Sequence, residues 1–154
     1  MTDTDLTGYC GLDCSDCIRN RSRSSDLAKE LLKELEEKQF AEYARVKQSQ
    51  IPDFEYFNLL VRLLEHSSQL HCEIPCRMGG DGCGGTCNII KCVKDKSLEG
   101  CWECSEHERC EKLSFLKPFH GDTPLENLGK IKKFGIKSWA KHRGKFYPWL
   151  TISR

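Results

Sequence analysis

Eleven cysteines dominate the chemistry open to this chain of 154 residues. Three lie close together as Cys10-x3-Cys14-x2-Cys17, and the other eight fall between Cys72 and Cys110. A thiolate is a soft metal ligand, and two cysteines with two residues between them let one tight turn aim both sulfurs at a single ion. Cys14 with Cys17 makes one such knuckle and Cys101 with Cys104 another. Two knuckles can close a tetrahedral site around Zn²⁺ with Zn–S near ~2.3 Å. The odd number of cysteines cannot pair off completely. The opening MTDTDLTGYC also lacks the basic and apolar regions of a secretory signal. Both features favour a cytoplasmic protein with reduced thiols and metal binding over a disulfide framework.

Spacing divides the later cysteines into Cys72-x3-Cys76-x6-Cys83-x3-Cys87 and Cys92-x8-Cys101-x2-Cys104-x5-Cys110, two compact quartets. Cys10, Cys14 and Cys17 then need a fourth ligand, for which a carboxylate, water or one of His71, His107 and His120 is available. Alternatively the triplet takes one cysteine from the middle group, leaving three thiols over. Two sites are expected, with Cys92, Cys101, Cys104 and Cys110 the better defined. About three of the eleven cysteines would then be small buried hydrophobes.

Iron competes with zinc, because four thiolates also hold a [4Fe–4S] cluster. The Cys10, Cys14, Cys17 spacing matches the C-x3-C-x2-C of radical S-adenosylmethionine enzymes, yet those barrels typically need about 200 residues or more, and here the triplet leads into helices. A redox dithiol at either C-x2-C would require a thioredoxin-like βαβ context that the sequence lacks. GxSxG, P-loop, HExxH and GxGxxG motifs are missing, as is the paired signature of zinc deaminases. His107-Glu108, between Cys104 and Cys110, is the sole local acid/base pair and reads as a solvated turn.

The elements that must position these thiols read as helical. Across residues 26–48, Leu27, Leu31, Leu32 and Leu35 form an apolar stripe continued by Phe40, Tyr43 and Val46. Ile51-Pro52 interrupts it, and Asp53 is the expected N-cap of a second helix carrying Phe54, Phe57, Leu60, Val61 and Leu64. A helical hairpin over residues 24–70 follows. MGGDGCGG suits loops and short turns around an ion. Thr123-Pro124-Leu125-Glu126 has the pattern of a capping box, predicting a helix from Pro124 to about Phe134 with Gly135 behind it. Leu125, Leu128, Ile131 and Phe134 form its inward stripe, and a short helix from Ile136 to about Arg143 ends at Gly144. No alternating strand pattern is evident. The expected fold is mainly α with irregular metal-bound Cys-rich loops, a small metal-stapled single domain. Along it lie an N-terminal knuckle (residues 1–20), the hairpin, the metal-binding region (residues 71–113) and basic C-terminal helices (residues 123–145).

Apart from cysteine, only 48 residues are hydrophobic, a thin supply for a core of this size. Metal sites would supply the missing cohesion, since a structural zinc contributes an apparent ~10–16 kcal/mol in zinc-finger peptides at neutral pH. Net charge is +1, which argues against a general polyanion binder. Residues 129–154 nevertheless hold eight Lys and Arg and no Asp or Glu, leaving net −7 elsewhere. With Phe134, Trp139, Phe146, Tyr147 and Trp149 interleaved, that stretch has the composition of a single-stranded nucleic-acid surface. The competing reading packs the aromatics inward, with Trp139 and Trp149 capping the metal layer, and leaves the lysines solvated. No run of about 18 apolar residues is present to span a membrane.

Tyr9-Cys10-Gly11-Leu12-Asp13-Cys14-Ser15-Asp16-Cys17, with Cys87-Asn88-Ile89-Ile90-Lys91-Cys92, Cys101-Trp102-Glu103-Cys104 and Cys110-Glu111-Lys112-Leu113, resembles the Cys-rich family of bacteria and archaea catalogued as domain of unknown function 3795. The resemblance spans roughly residues 8–145. It implies a metal-binding protein, usually presumed zinc, without an established activity. Cys10, Cys14, Cys17, Cys83, Cys87, Cys92, Cys101, Cys104 and Cys110 fall on the family's cysteine pattern; Cys72 and Cys76 fit it less closely, with Cys76 followed here by Gly82-Cys83. The sequence thus leads to a non-catalytic cytoplasmic zinc protein with two ions and an unknown protein partner. Its expected ligands come from Cys10, Cys14, Cys17, Cys76, Cys83, Cys87, Cys92, Cys101, Cys104 and Cys110. The alternatives are an iron–sulfur redox protein or enzyme centred on Cys10, Cys14 and Cys17, and nucleic-acid binding through residues 129–154.

Overall fold

A computed structural model of the chain describes residues 1–83, 85–144, 147 and 149. Among these the fold is mainly helical and without strands, as the apolar periodicities require. Nine α-helices are found among the described residues: α1 (Asp3–Leu6), α2 (Ile18–Arg21), α3 (Ser24–Glu37), α4 (Phe40–Lys47), α5 (Phe57–Ser68), α6 (Asn88–Asp95), α7 (Glu111–Ser114), α8 (Lys117–His120) and α9 (Thr123–Phe134). Short 3₁₀ turns separate them. The chain divides into two compact units, one made of Met1–Arg21 with Cys72–Arg154 and the other of Ser22–His71.

The Ser22–His71 unit is the expected hairpin, with α3 packed along α5. Its details differ from the helix periodicity. The first long helix is broken after Glu37, where Gln39 takes a left-handed conformation (φ 51°, ψ 40°). The break turns α4 so that Phe40 stacks on Phe57 at 5.6 Å between ring centroids and meets Phe54 edge-on at 6.0 Å. Aromatic packing thus overrides a continuous helix. Asp53 is not the N-cap of α5: it lies inside a 3₁₀ turn, Pro52–Tyr56, and α5 starts at Phe57. Pro52 fixes that turn, whose first bond runs from the Phe54 N–H to the Ile51 carbonyl at 3.1 Å. The leucine stripe also rotates. Ala28 is buried and Leu32 and Leu35 are half-buried, whereas Leu27 and Leu31 are exposed.

In the other unit one hydrophobic core unites Leu12 near the start, Ile89 and Val93 of α6, Trp102, Leu113, Leu128 and Ile131 of α9, and Trp139. α6 buries one face through Ile89, Ile90 and Val93, and Cys87 just before it packs against the core. α9 starts at Thr123, so Thr123 lies within the first turn and Asp122 takes the cap position that the sequence pattern assigns to Thr123. It ends at Phe134 as expected, with Gly135 at φ 75° donating its N–H to the Ile131 carbonyl at 2.8 Å. Leu128 and Ile131 face inward, but Leu125 is exposed. The last expected helix is instead a 3₁₀ turn, Trp139–His142, wound tighter around the fully buried Trp139. Phe146 and the residues from 150 onward lie outside the described residues.

Candidate metal centres

The two C-x2-C knuckles fold alike. In the first, Asp13 accepts hydrogen bonds through Oδ1 from the Ser15 N–H at 2.8 Å and the Ser15 hydroxyl at 2.6 Å, opening a 3₁₀ turn, Cys14–Asp16. The Cys17 N–H then donates to the Cys14 carbonyl at 3.1 Å. In the second, Cys101–Glu103 is a 3₁₀ turn and the Cys104 N–H donates to the Cys101 carbonyl at 3.1 Å. The closing cysteines have matching backbones, φ −78° and ψ 125° at Cys17 and φ −76° and ψ 127° at Cys104. Side chains three apart on such a turn lie on one side of it.

Neighbouring residues dock these knuckles. Gly11 has φ +85°, and a Cβ there would come within 2.8 Å of the Pro124 carbonyl oxygen and 3.0 Å of Leu128 on α9. Only glycine meets both demands. The Cys101 N–H donates to the Tyr9 carbonyl at 3.0 Å, tying the segment before Cys10 to the second knuckle. Arg77, next to Cys76, lies over Tyr9 at 4.5 Å and Trp102 at 5.1 Å, and donates to the Thr7 and Glu99 carbonyls at 3.0 Å each. Gly100 leaves room for the Trp102 ring, which a Cβ would meet at 2.1 Å. Arg143 pairs with Asp13 and reaches Asp16 at 3.0 Å, with both carboxylates buried. Trp139 Nε1 donates to the buried Thr7 hydroxyl at 2.8 Å.

Two constellations of thiols result. Cys92, Cys101, Cys104 and Cys110 all line one cavity of about 550 Å³ together with His107. Burial pushes the Cys101 thiol up to about 12, and the thiols of Cys110, Cys104 and Cys92 would add their repulsion if ionised. In the other, burial pushes Cys10 and Cys14 far above the ordinary thiol range, with further upward pressure on both from Cys76 and Cys83. Cys83 is exposed as a residue, yet desolvation around its sulfur lifts the thiol to about 11, with further upward pressure from Cys17, Cys76, Cys72 and Cys87. Cys72, also raised by burial, has Cys17 and Cys76 nearby, and its N–H donates to the Arg19 carbonyl at 2.9 Å. The structure therefore gathers Cys72, Cys76 and Cys83 with the N-terminal triplet, where spacing alone groups them with Cys87 as a quartet. Cys87 is felt by both Cys83 and Cys101.

Among the described residues no group of three or more His, Cys, Asp or Glu is placed to hold a metal ion. All eleven cysteines are free thiols. The donor chemistry fits a thiophilic cation: Cys10, Cys14, Cys72, Cys83 and Cys101 resist ionising alone beside other thiols, and a divalent ion would provide the missing countercharge. Cys92, Cys101, Cys104 and Cys110 would hold one ion, and the triplet with Cys76 or Cys83 another.

The candidate histidines part company. His71 Nδ1 stands 3.4 Å from the Ser25 hydroxyl, and His120 packs its ring on Tyr147 at 4.8 Å and Trp149 at 5.5 Å. His107 is buried and its Nδ1 lies 2.6 Å from the Cys104 carbonyl, so His107 is no solvated turn. Sequence reasoning missed Thr7, Asp13, Asp16 and Arg143 as knuckle supports. The two aspartates beside cysteines in one turn were the available signal, but their cation stands 130 residues after Asp13.

Helical scaffold, two like-folded cysteine knuckles and a glycine-rich connecting loop define a class of small Cys-rich proteins organised around thiol clusters. The model of the family described as protein of unknown function (DUF3795) matches residues 6–115, and the chain belongs to that family. No curated protein and no solved structure matches the chain. The matched region contains all eleven cysteines and stops short of α9.

Proposed function

We propose that this protein is a zinc-binding module whose multi-cysteine sites are structural and which acts by presenting a surface to a protein partner. The observation that supports the reading is that Cys92, Cys101, Cys104 and Cys110 all line one cavity. Bound zinc would cross-link α6, the second knuckle and the start of α7, supporting a core poor in ordinary hydrophobes. The surface for a partner is offered by the helical unit, where Leu27, Leu31, Leu59, Leu60 and Leu63 are exposed. No helix among the described residues is long and apolar enough to cross a membrane. The basic C-terminal stretch is less suited to stacking on bases: Trp139 and Tyr147 are buried and Arg143 is paired with Asp13 and Asp16.

Metal content per chain, measured by mass spectrometry on protein purified without oxygen and without a metal-binding tag, tests the reading. Close to two zinc ions supports it. Iron with matching sulfide replaces it by an iron–sulfur protein, and absence of metal removes it. A second check is the double substitution of Cys101 and Cys104 by alanine. Native circular dichroism and an unchanged melting temperature in that variant would exclude a structural metal in the cavity.

A further inference from the structure

The Ser22–His71 unit buries very little of itself. Its buried residues are Ser25, Ala28 and Ala44, all small, and α5 has none. A helical unit of this size gains its stability from a further layer packed on it. The two ends of the helix pair fix its direction. Phe40, just past α3, stacks on Phe57 at the start of α5, and Ser25 at the start of α3 lies 3.4 Å from His71 beyond the end of α5, so α3 and α5 run antiparallel.

The sheltered rows are Ser25, Ala28, Leu32 and Leu35 on α3 and Phe57, Val61 and Leu64 on α5, and these face each other across the pair. Leu27 and Leu31 precede row residues by one position, and so do Leu60 and Leu63. One position is a turn of about 100° in the same sense about each helix axis. In an antiparallel pair that common sense carries both sets to the same side. The four leucines, each more than two-fifths exposed, therefore make one apolar face. The positions one residue after the rows, Lys29, Lys33, Glu36, Arg62 and Glu65, make the opposite side charged and exposed.

The rim of the apolar face is also asymmetric. Beyond the leucines α3 carries Glu30 and Glu34, with Lys38 3.9 Å from Glu34 at its end, whereas α5 carries Leu59 and His66. A two-fold axis along the helices lays the glutamate rim of one copy on the His66 rim of another, while an axis across them would stack glutamates on glutamates. Two helices about 20 Å long and about 10 Å apart offer a footprint that, buried on both copies, comes to on the order of 1,000 Å², the size at which specific association begins.

We infer that this face pairs two copies of the chain, α3 of each lying on α5 of the other, to form a four-helix bundle. The inference rests on the reading above that the helical unit meets a protein partner, and it names that partner. The test is sedimentation equilibrium of the full-length chain with a reductant present, so that disulfides do not link copies. The expected result is a reversible monomer–dimer equilibrium. Leu31→Glu combined with Leu63→Glu should raise its dissociation constant by roughly 100-fold or more, with circular dichroism unchanged. Leu27→Glu alone, which leaves α5 intact, should weaken the dimer in the same direction if the double variant does not fold. A chain that stays monomeric at every concentration, or a dimer indifferent to these substitutions, would overturn the inference. Hydroxyl-radical footprinting of the monomer separates that failure from failure of the partner reading. Oxidised leucines leave the face open to a different protein, whereas protected leucines show it covered within the chain and remove both.

Discussion

Asp13 precedes the first knuckle and Asp16 lies within it, both as buried carboxylates, and the Arg143 guanidinium is their shared cation. Removing one partner of a buried pair leaves an uncompensated charge, so Arg143→Ala should cost about 3–5 kcal/mol in urea unfolding. Arg143→Lys should recover only part of that, since an ammonium lacks the fork that reaches two carboxylates. Gly11 makes a sharper steric demand. Gly11→Ala should lose more than about 1 kcal/mol, measured by the same midpoint shift, because its φ of +85° and the Pro124 carbonyl both oppose a Cβ. Both effects should appear in metal-free protein too, which separates them from ligand loss at the neighbouring cysteines.

Among the elements, the α3–α4 break is the clearest case of local strain accepted for packing. Gln39 holds a left-handed backbone so that Phe40 and Tyr43 can reach Phe54. A non-glycine residue there costs about 1–2 kcal/mol, and glycine loses about 0.5–1 kcal/mol in chain entropy. Gln39→Gly should therefore leave thermal melting unchanged or raise it, whereas Phe40→Ala should lower it by several degrees. This break also shows what could be read from the chain. The hairpin was legible, because its apolar residues recur at helical spacing in both arms. The break was not, since nothing at Lys38-Gln39 marks a stop and the cause lies in aromatics further along. The knuckles were legible as C-x2-C pairs with a known preference for tight turns. The association of Cys83 with Cys10 and Cys14 was not, because it is set by long-range contacts, including Arg77 between Tyr9 and Trp102. His107 was visible between Cys104 and Cys110, but its burial depends on the three-dimensional packing around the cavity.

Across the whole molecule, the thiols set pH responses in different ranges for the metal-free and metal-loaded protein. In the metal-free fold, burial holds Cys83 at about 11 and Cys101 at about 12, above the ordinary 9.0. A raised thiol favours the fold while protonated, so that stability is fully present below about 9 and declines as pH rises from there to about 12. The loaded protein needs thiolates, so its stability should fall on acidification as protons displace the ion. Melting temperatures recorded against pH should thus rise toward about 9 and then level for the loaded protein, and stay level to about 9 and then fall when a strong chelator is present. The Trp139–Thr7 hydrogen bond and the Arg143 ion pairs carry a consequence for biosynthesis. They join segments separated by more than a hundred residues, with the Ser22–His71 unit made in between. During translation the Cys10, Cys14 and Cys17 thiols emerge long before the chain that will shelter them. On the ribosome, this protein passes through a period in which its earliest cysteines are open to oxidants and to any passing metal, and that period ends only when its last core residues have been synthesised.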